Sequence, residues 1–199
     1  MPYRRTTAVQ ARLDAGREKL FASAIDVLSS QGYRGLSIAS VAAAARVSAG
    51  SVYTHFESKS DLLVALFREV CGREVQAVAD ASSSGDVVER VTAIVETFAG
   101  RAMKNRTMAY ALLVEPVDAA VDVERLVFRR SFTDAIAGAI SVGIASGDIP
   151  EQNVDLAAAG LVGAVGEILV GPLSPDRAPG PDIVPDLVAF ALRSLGAKS

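Results

Sequence analysis

Hydrophobic positions recur with helical spacing along almost the whole chain, and the strict alternation typical of a β-strand is nearly absent. Phe21, Ala24, Ile25 and Leu28 fall at i, i+3, i+4 and i+7, which predicts a first helix from about Leu13 to Ser30. Continued along the sequence, this pattern predicts nine helices. The predicted fold class is therefore all-α.

Polar residues that favour helix N-caps precede several of the apolar runs. Ser37, Ser48, Ser58, Asp86 and Asn153 stand in these positions, where a side-chain oxygen can accept a hydrogen bond from a free backbone N–H. The helix that follows Ser58 is predicted to reach about residue 80, a length of roughly 33 Å at 1.5 Å per residue. That is long enough to connect two modules.

The second and third helices are short and joined by the turn Arg46-Val47-Ser48. On the third helix, Val52 and Phe56 are predicted to face inward, which leaves small polar groups and one tyrosine on the outer face. Such a helix can lie in the DNA major groove, where hydroxyls meet base edges and Tyr53 meets a phosphate or a thymine methyl. The predicted contact residues are Ser37, Arg46, Ser48, Ala49, Gly50, Ser51, Tyr53, Thr54, His55 and Lys59.

Charge is distributed unevenly. The whole chain has a net charge of −3, but residues 1–60 carry eight Lys and Arg against four Asp and Glu, a balance of +4. The first third of the chain is basic and the rest is acidic, which indicates one surface that binds a polyanion and a separate body with a different role.

The string Gly35-Leu36-Ser37, Val41-Ala42, Ala45, Val47-Ser48, Gly50, Val52-Tyr53, His55-Phe56, Lys59 and Leu62-Leu63 resembles the DNA-binding signature of TetR-type transcriptional regulators. The resemblance implies a homodimeric, ligand-responsive regulator, by default a repressor, on a palindromic operator. It places Ser37 and Lys59 on phosphates and the outer residues of the third helix on bases or phosphates. Arg46 departs from the glycine usual in the family. Either the turn conformation differs, or Arg46 is kept for a phosphate.

Three regions are predicted. Residues 1–12 form an N-terminal arm in which Arg4, Arg5 and Arg12 either touch DNA or belong to a solvated tail. Residues 13–58 form the helix-turn-helix domain, and residues 59–199 form a helical body for effector binding and dimerisation.

Small residues in the apolar helix after Asn153, with apolar residues of the last helix, predict a four-helix dimer seam. Its residues are Ala159, Gly160, Gly163, Val188, Ala191 and Leu195. The alternative is that both helices only cover the core of one protomer.

Aromatic and methionine side chains of the middle helices, with one carboxylate, are candidates for a largely apolar effector pocket, although each is individually more typical of plain core. They are Phe98, Met103, Met108, Tyr110, Leu113, Phe128, Phe132 and Glu167. Glu167 interrupts an apolar helix, and its partner is a cationic ligand, a nearby Arg, or water at an exposed edge.

The composition leaves little for catalysis. His55 and Cys71 are the single histidine and cysteine, so we expect no metal, no cofactor and no catalytic site, and Cys71 is interpreted as a small buried hydrophobe or a redox sensor. The N-terminus lacks an apolar signal segment, and the apolar run Leu156–Gly166 is too short to span a bilayer. We expect a cytoplasmic protein with no membrane partner. The alternative function is a helical adaptor for a protein or membrane surface.

Overall fold

The computed structural model describes residues 7–178 and 180–197. Within these ranges every regular element is a helix, nine in number, which confirms the all-α prediction. The helices are α1 Thr7–Gln31, α2 Ile38–Ala45, α3 Ala49–Tyr53, α4 Lys59–Ala81, α5 Val87–Lys104, α6 Arg106–Leu113, α7 Ala119–Ser146, α8 Val154–Leu173 and α9 Val184–Ser194.

The predicted N-caps form as the sequence indicates. Ser37, Ser48, Ser58, Asp86 and Asn153 each accept a hydrogen bond from the backbone N–H three residues further on, at distances from 2.9 to 3.2 Å. These side chains stop each helix from extending backwards and leave a turn before it. The caps therefore fix where the short helices α2 and α3 begin.

The first helix begins earlier than predicted. α1 starts at Thr7 rather than near Leu13, so residues 7–12 extend a helix, and Arg12 lies on it as an exposed side chain. Gln10 Nε2 donates to Asp14 Oδ1 at 2.9 Å across one helical turn, which supports this extension. Arg4 and Arg5 lie outside the described residues.

Buried side chains form two hydrophobic cores. The N-terminal core contains residues of α1 to α4, such as Leu28, Val52 and Leu66, with Ala111 and Val121 from α6 and α7. The C-terminal core contains residues of α5 to α9, together with Val78 near the end of α4. α4 is therefore buried in both cores and connects them.

Two arginines hold α6 at its ends. At its beginning, the Arg106 guanidinium donates to the carbonyl oxygens of Pro172, Ser174 and Arg177, which follow or end α8. At its other end, Arg125 of α7 donates to the carbonyls of Ala111, Leu112 and Glu115. The last carbonyls of a helix have no partner within the helix. Arg106 therefore caps the C-terminus of α8, and Arg125 caps the C-terminus of α6.

α8 has one packed face and one exposed face. Over its 20 residues it is, within the described ranges, the one helix long and apolar enough to cross a membrane by length and composition, because apolar residues continue beyond Glu167 to Leu173. The expectation that the apolar segment is too short to span a bilayer, which was based on Leu156–Gly166 alone, is therefore corrected. Ala158, Leu161, Val165, Leu169 and Leu173 are buried along one face of the helix, and its other residues are half-buried or exposed.

The contact between α5 and α7 predicts opposite outcomes for two glycines of α7. A Cβ on Gly143 would lie 2.7 Å from side-chain atoms of the buried Val87, whereas a Cβ on Gly138 would meet open space. Gly138→Ala is expected to raise the free energy of unfolding by about 0.5–1 kcal/mol through helix propensity. Gly143→Ala is expected to lower it by about 1–3 kcal/mol through overpacking. Urea denaturation at one protein concentration measures both, and equal effects would contradict this packing.

Candidate nucleic-acid interface and cavity

The orientation of α3 is set by the residues that it buries. Val52 is fully buried, and Phe56 just beyond the helix is 1% exposed. The Phe56 ring meets Phe21 of α1 edge to face, with centroids 5.4 Å apart. The Arg17 guanidinium lies 4.7 Å over the Phe56 ring, and its Nη1 donates to the His55 carbonyl at 3.3 Å. Sequence reasoning missed Arg17, which positions α3 through this stacking contact.

The opposite face of α3 is open to solvent. Tyr53 is 54% exposed, a large value for an aromatic side chain. The structure brings the ten predicted contact residues into the region around α3 and the N-termini of α2 and α4. Those exposed are Arg46, Ser48, Ala49, Gly50, Tyr53, Thr54 and Lys59, and those half-buried are Ser37, Ser51 and His55.

The turn between α2 and α3 takes the conformation that a glycine would take. Arg46 has φ 56° and ψ 47°, and among the described non-glycine residues it alone has a positive φ. Its N–H donates to the carbonyls of Ala42 and Ala43, which ends α2. The suggestion that arginine changes the turn conformation is therefore wrong. The side chain of Arg46 points into solvent, and its contact with a phosphate stays a prediction.

Several hydroxyls on this surface already have partners within the protein. Ser37 Oγ accepts from the Ser40 N–H at 3.0 Å, Ser48 Oγ and Ser51 Oγ lie 3.0 Å apart, and Thr54 Oγ1 donates to the Gly50 carbonyl at 3.2 Å. Each hydroxyl has one donor and two acceptor sites, so these bonds orient the groups and leave capacity for DNA.

His55 is half-buried and lies against α1. Its imidazole lies so close to Gly16 that a Cβ there would come within 2.9 Å of Nε2. The imidazole therefore requires a residue without a side chain at position 16, and sequence reasoning missed this requirement. Within the described part of the chain there is no cluster of three His, Cys, Asp or Glu side chains that could hold a metal ion.

A cavity of about 140 Å³ lies among α4 to α8, at the boundary of the two cores. Phe67 and Cys71 of the N-terminal core contribute to its wall, as do Ile94 and Val95 of the C-terminal core. Four predicted pocket residues line it: Phe98, Met108, Leu113 and Phe132.

Four other predicted pocket residues do not line this cavity. Phe128 packs on Phe67 inside the N-terminal core, with ring centroids 5.9 Å apart. Met103 and Tyr110 pack against the C-terminal core. Glu167 is exposed and forms no ion pair among the described residues, so the expectation that its carboxylate is buried is wrong.

Charged side chains surround part of the cavity. Arg101 Nη2 donates to Glu74 Oε1 at 2.8 Å, and Arg125 is committed to the α6 carbonyls. Arg129 is exposed and forms no ion pair among the described residues. Burial raises the pKa of the Cys71 thiol to about 12, so the thiol stays protonated and unreactive, as expected of a small buried hydrophobe.

The predicted dimer residues separate into two groups. Ala159, Gly160 and Gly163 lie on the exposed face of α8, and Val188 is half-buried. Ala191 and Leu195 are 0% and 2% exposed inside the C-terminal core. These two cover the core of their own protomer, as the alternative proposed, and the expectation that they form the dimer seam is wrong.

Residues 20–66 match the family described as "Bacterial regulatory proteins, tetR family". This region of the chain is a TetR-type DNA-binding domain. The match spans the end of α1 through the start of α4, which is the helix-turn-helix with its supporting core. A TetR-type helix-turn-helix in this region is what the sequence resemblance predicted.

Two transcription-related proteins resemble the chain in sequence. The fatty acid metabolism regulator protein of Bacillus subtilis is 22% identical over 149 residues, covering 73% of this chain and 77% of the relative. The HTH-type transcriptional regulator CymR of Pseudomonas putida is 37% identical over 94 residues, covering 45% of each. The second likeness is the stronger in identity but reaches less than half of either protein.

Solved structures share the fold. A TetR transcription regulator from Haloarcula marismortui superposes with a TM-score of 0.80 at 17% identity, covering 92% of this chain and 97% of that one. FadR from Bacillus subtilis, solved in complex with stearoyl-CoA, superposes with a TM-score of 0.73 at 21% identity, covering 90% and 96%. At such identities the likeness shows the TetR fold alone.

The left-handed turn at Arg46 generates a prediction that separates strain from charge. Arg46→Ala keeps a Cβ at positive φ, whereas Arg46→Gly removes it, so the glycine variant is expected to be the more stable by about 1 kcal/mol. Both variants lose the same charge, and they are expected to bind DNA equally weakly if the guanidinium meets a phosphate. Thermal unfolding and DNA titration measure the two effects. An alanine variant as stable as the glycine variant would show that the turn is unstrained.

Proposed function

We propose that the protein is a cytoplasmic, homodimeric repressor that binds a palindromic operator through α3 and releases it when a small molecule occupies the cavity. The observation that carries the DNA-binding part is the exposed outer face of α3, with Tyr53 54% exposed beside the small residues Ala49 and Gly50. Small residues let a helix backbone approach base edges closely. No catalytic step is part of this proposal.

The surroundings of α3 are suited to a phosphate backbone. α4 begins at Lys59, shortly after α3 ends, and α2, which contacts α3, begins at Ile38. Helix N-termini attract anions through free N–H groups and the helix dipole. Lys59 is exposed in the first turn of α4, where a lysine is unfavourable for the dipole unless an anion is near. The basic first third of the chain adds a sequence-independent attraction.

The exposed face of α8 supports dimerisation. Leu156 is 73% exposed and Ile168 37% exposed, and the small residues Ala159, Gly160 and Gly163 lie between them. A second copy packed there would remove this apolar surface from water. It would also hold two α3 helices at the fixed spacing of about 34–36 Å that a palindrome requires.

Two connections link the cavity to the DNA-binding domain. α4 lines the cavity at Phe67 and Cys71, and its first residue is Lys59 beside the DNA surface. The second connection is the α6–α7 connector, residues 114–118, which touches the loop after α1. There Glu115 Oε2 accepts from the Arg34 N–H, and Tyr33 Oη lies 3.2 Å from Asp118 Oδ2.

We infer that an effector shifts a population between two arrangements of these helices. Met108 lines the cavity and its sulfur accepts a hydrogen bond from Ser29 Oγ of α1 at 3.5 Å, so the wall of the cavity also touches the DNA-binding domain. The likeness to FadR, which was solved with stearoyl-CoA, supports a small-molecule ligand in a body of this shape.

Selection of bound fragments from a random or genomic DNA pool tests the proposed function. Recovery of a two-fold symmetric duplex, bound by two chains, is the expected result. Recovery of no preferred duplex at low ionic strength, with a folded protein, would favour an adaptor for another surface.

Lys59 is expected to act on phosphate rather than on bases. Lys59→Ala should weaken binding to all duplexes alike and reduce the slope of log K against log salt by about 1. Lys104→Ala removes the same charge from an exposed position of α5 and serves as the matched control. If the salt slope of Lys59→Ala equals that of Lys104→Ala, Lys59 does not contact a DNA phosphate.

A charge placed on the exposed face of α8 tests the dimer. A Cβ on Gly163 meets open space in one protomer, so Gly163→Glu is expected to fold, to stay monomeric and to bind the operator at least tenfold more weakly. Gly138→Glu introduces the same side chain at an exposed, open position of α7 and should remain dimeric. Sedimentation equilibrium measures the state, and a dimeric Gly163→Glu variant would place the interface elsewhere.

A further inference from the structure

We propose, resting on the assignment of the cavity as the effector site, that its ligand is a small carboxylate built on one ring, with the ring inside the cavity and the carboxylate at Arg129. The cavity volume, the aromatic lining and the charges around it each restrict the ligand.

The size of the cavity limits how large the apolar part of the ligand can be. Its volume is about 140 Å³. An apolar protein cavity of about 150 Å³ holds one benzene molecule. A stearoyl chain contains several times as many carbon atoms, so the enclosed part of the cavity matches one ring and is too small for a whole acyl chain.

The lining favours a ring over a flexible chain. Phe98 and Phe132 meet edge to face with centroids 4.9 Å apart, and both border the cavity with Phe67. Ile94 and Val165 add branched aliphatic groups to the same wall. A planar or alicyclic ring can pack against these faces without the loss of rotamer entropy that a chain would undergo.

The charged lining selects an anion. Three arginines, Arg101, Arg125 and Arg129, line the cavity with a single acidic residue, Glu74. Glu74 is already paired with Arg101, so the local balance is positive and Glu74 does not repel a second carboxylate strongly.

Arg129 is the charge left for the ligand. Arg125 donates from Nε and Nη2 to three carbonyls, whereas Arg129 makes no side-chain hydrogen bond with the described residues. Arg129 and Phe132 lie three positions apart on α7, which places them on one face of the helix. A ring packed on Phe132 can therefore carry its carboxylate to Arg129, where bidentate pairing is available.

Calorimetric titration with matched probes tests the inference. Benzoate and cyclohexanecarboxylate are compared with benzamide and cyclohexanecarboxamide, which have the same shape without the charge. We expect the carboxylates to bind at least tenfold more tightly than the amides. Arg129→Gln should abolish that preference, and Arg129→Lys should keep part of it.

Arg130→Gln is the matched control, because Arg130 is exposed on the same helix and does not border the cavity. It should bind the carboxylates as the unaltered protein does. The inference is overturned if carboxylates and amides bind equally, if neither binds, if Arg129→Gln behaves as Arg130→Gln, or if stearoyl-CoA alone binds.

A parallel operator titration separates this inference from the proposed function. Carboxylate binding that leaves operator affinity unchanged would contradict the proposed regulation and uphold the ligand class. Operator release by stearoyl-CoA alone would uphold the proposed regulation and contradict the proposed ligand class.

Discussion

The structure depends on the burial of α4 in two hydrophobic cores at once. Its first half packs in the N-terminal core through residues such as Leu62 and Leu66, and Val78 packs in the C-terminal core. Close-packed interiors respond to added volume by moving whole elements rather than by compressing. Because the cavity lies where the two cores meet, a molecule that fills it presses on α4, the helix whose N-terminal end lies beside the DNA surface.

The same burial explains how so short a helix as α3 can present a fixed surface. Val52 and Phe56 fill the N-terminal core, Arg17 stacks over Phe56, and the remaining side chains face solvent. Few of these outer residues are long enough for bidentate base contacts. Affinity is then expected to come largely from phosphates at the ends of α2 and α4, and specificity in part from the shape and deformability of the duplex.

Helical spacing and capping residues were sufficient to predict the helices and the outer face of α3, because both depend on neighbours in sequence. They were not sufficient to predict which side chains line the cavity. Periodicity shows that Phe128 and Phe132 face inward, but only the packing of α4 against α7 shows that Phe132 borders the cavity and Phe128 does not. The buried position of Leu195 likewise depends on distant helices. The αL conformation of Arg46 follows from the geometry of the turn, which the side chain does not reveal.

Filling the cavity from within tests the central claim most directly, since it needs no ligand. Ala102 borders the cavity, and a phenyl ring approaches the size that 140 Å³ admits. The affinity of Ala102→Phe for the selected duplex is to be measured by titration, with helicity and thermal stability as controls. If the cavity couples to α3, affinity should fall by at least about fivefold in a protein that remains folded. A folded variant with undiminished affinity would contradict the coupling of cavity and DNA surface.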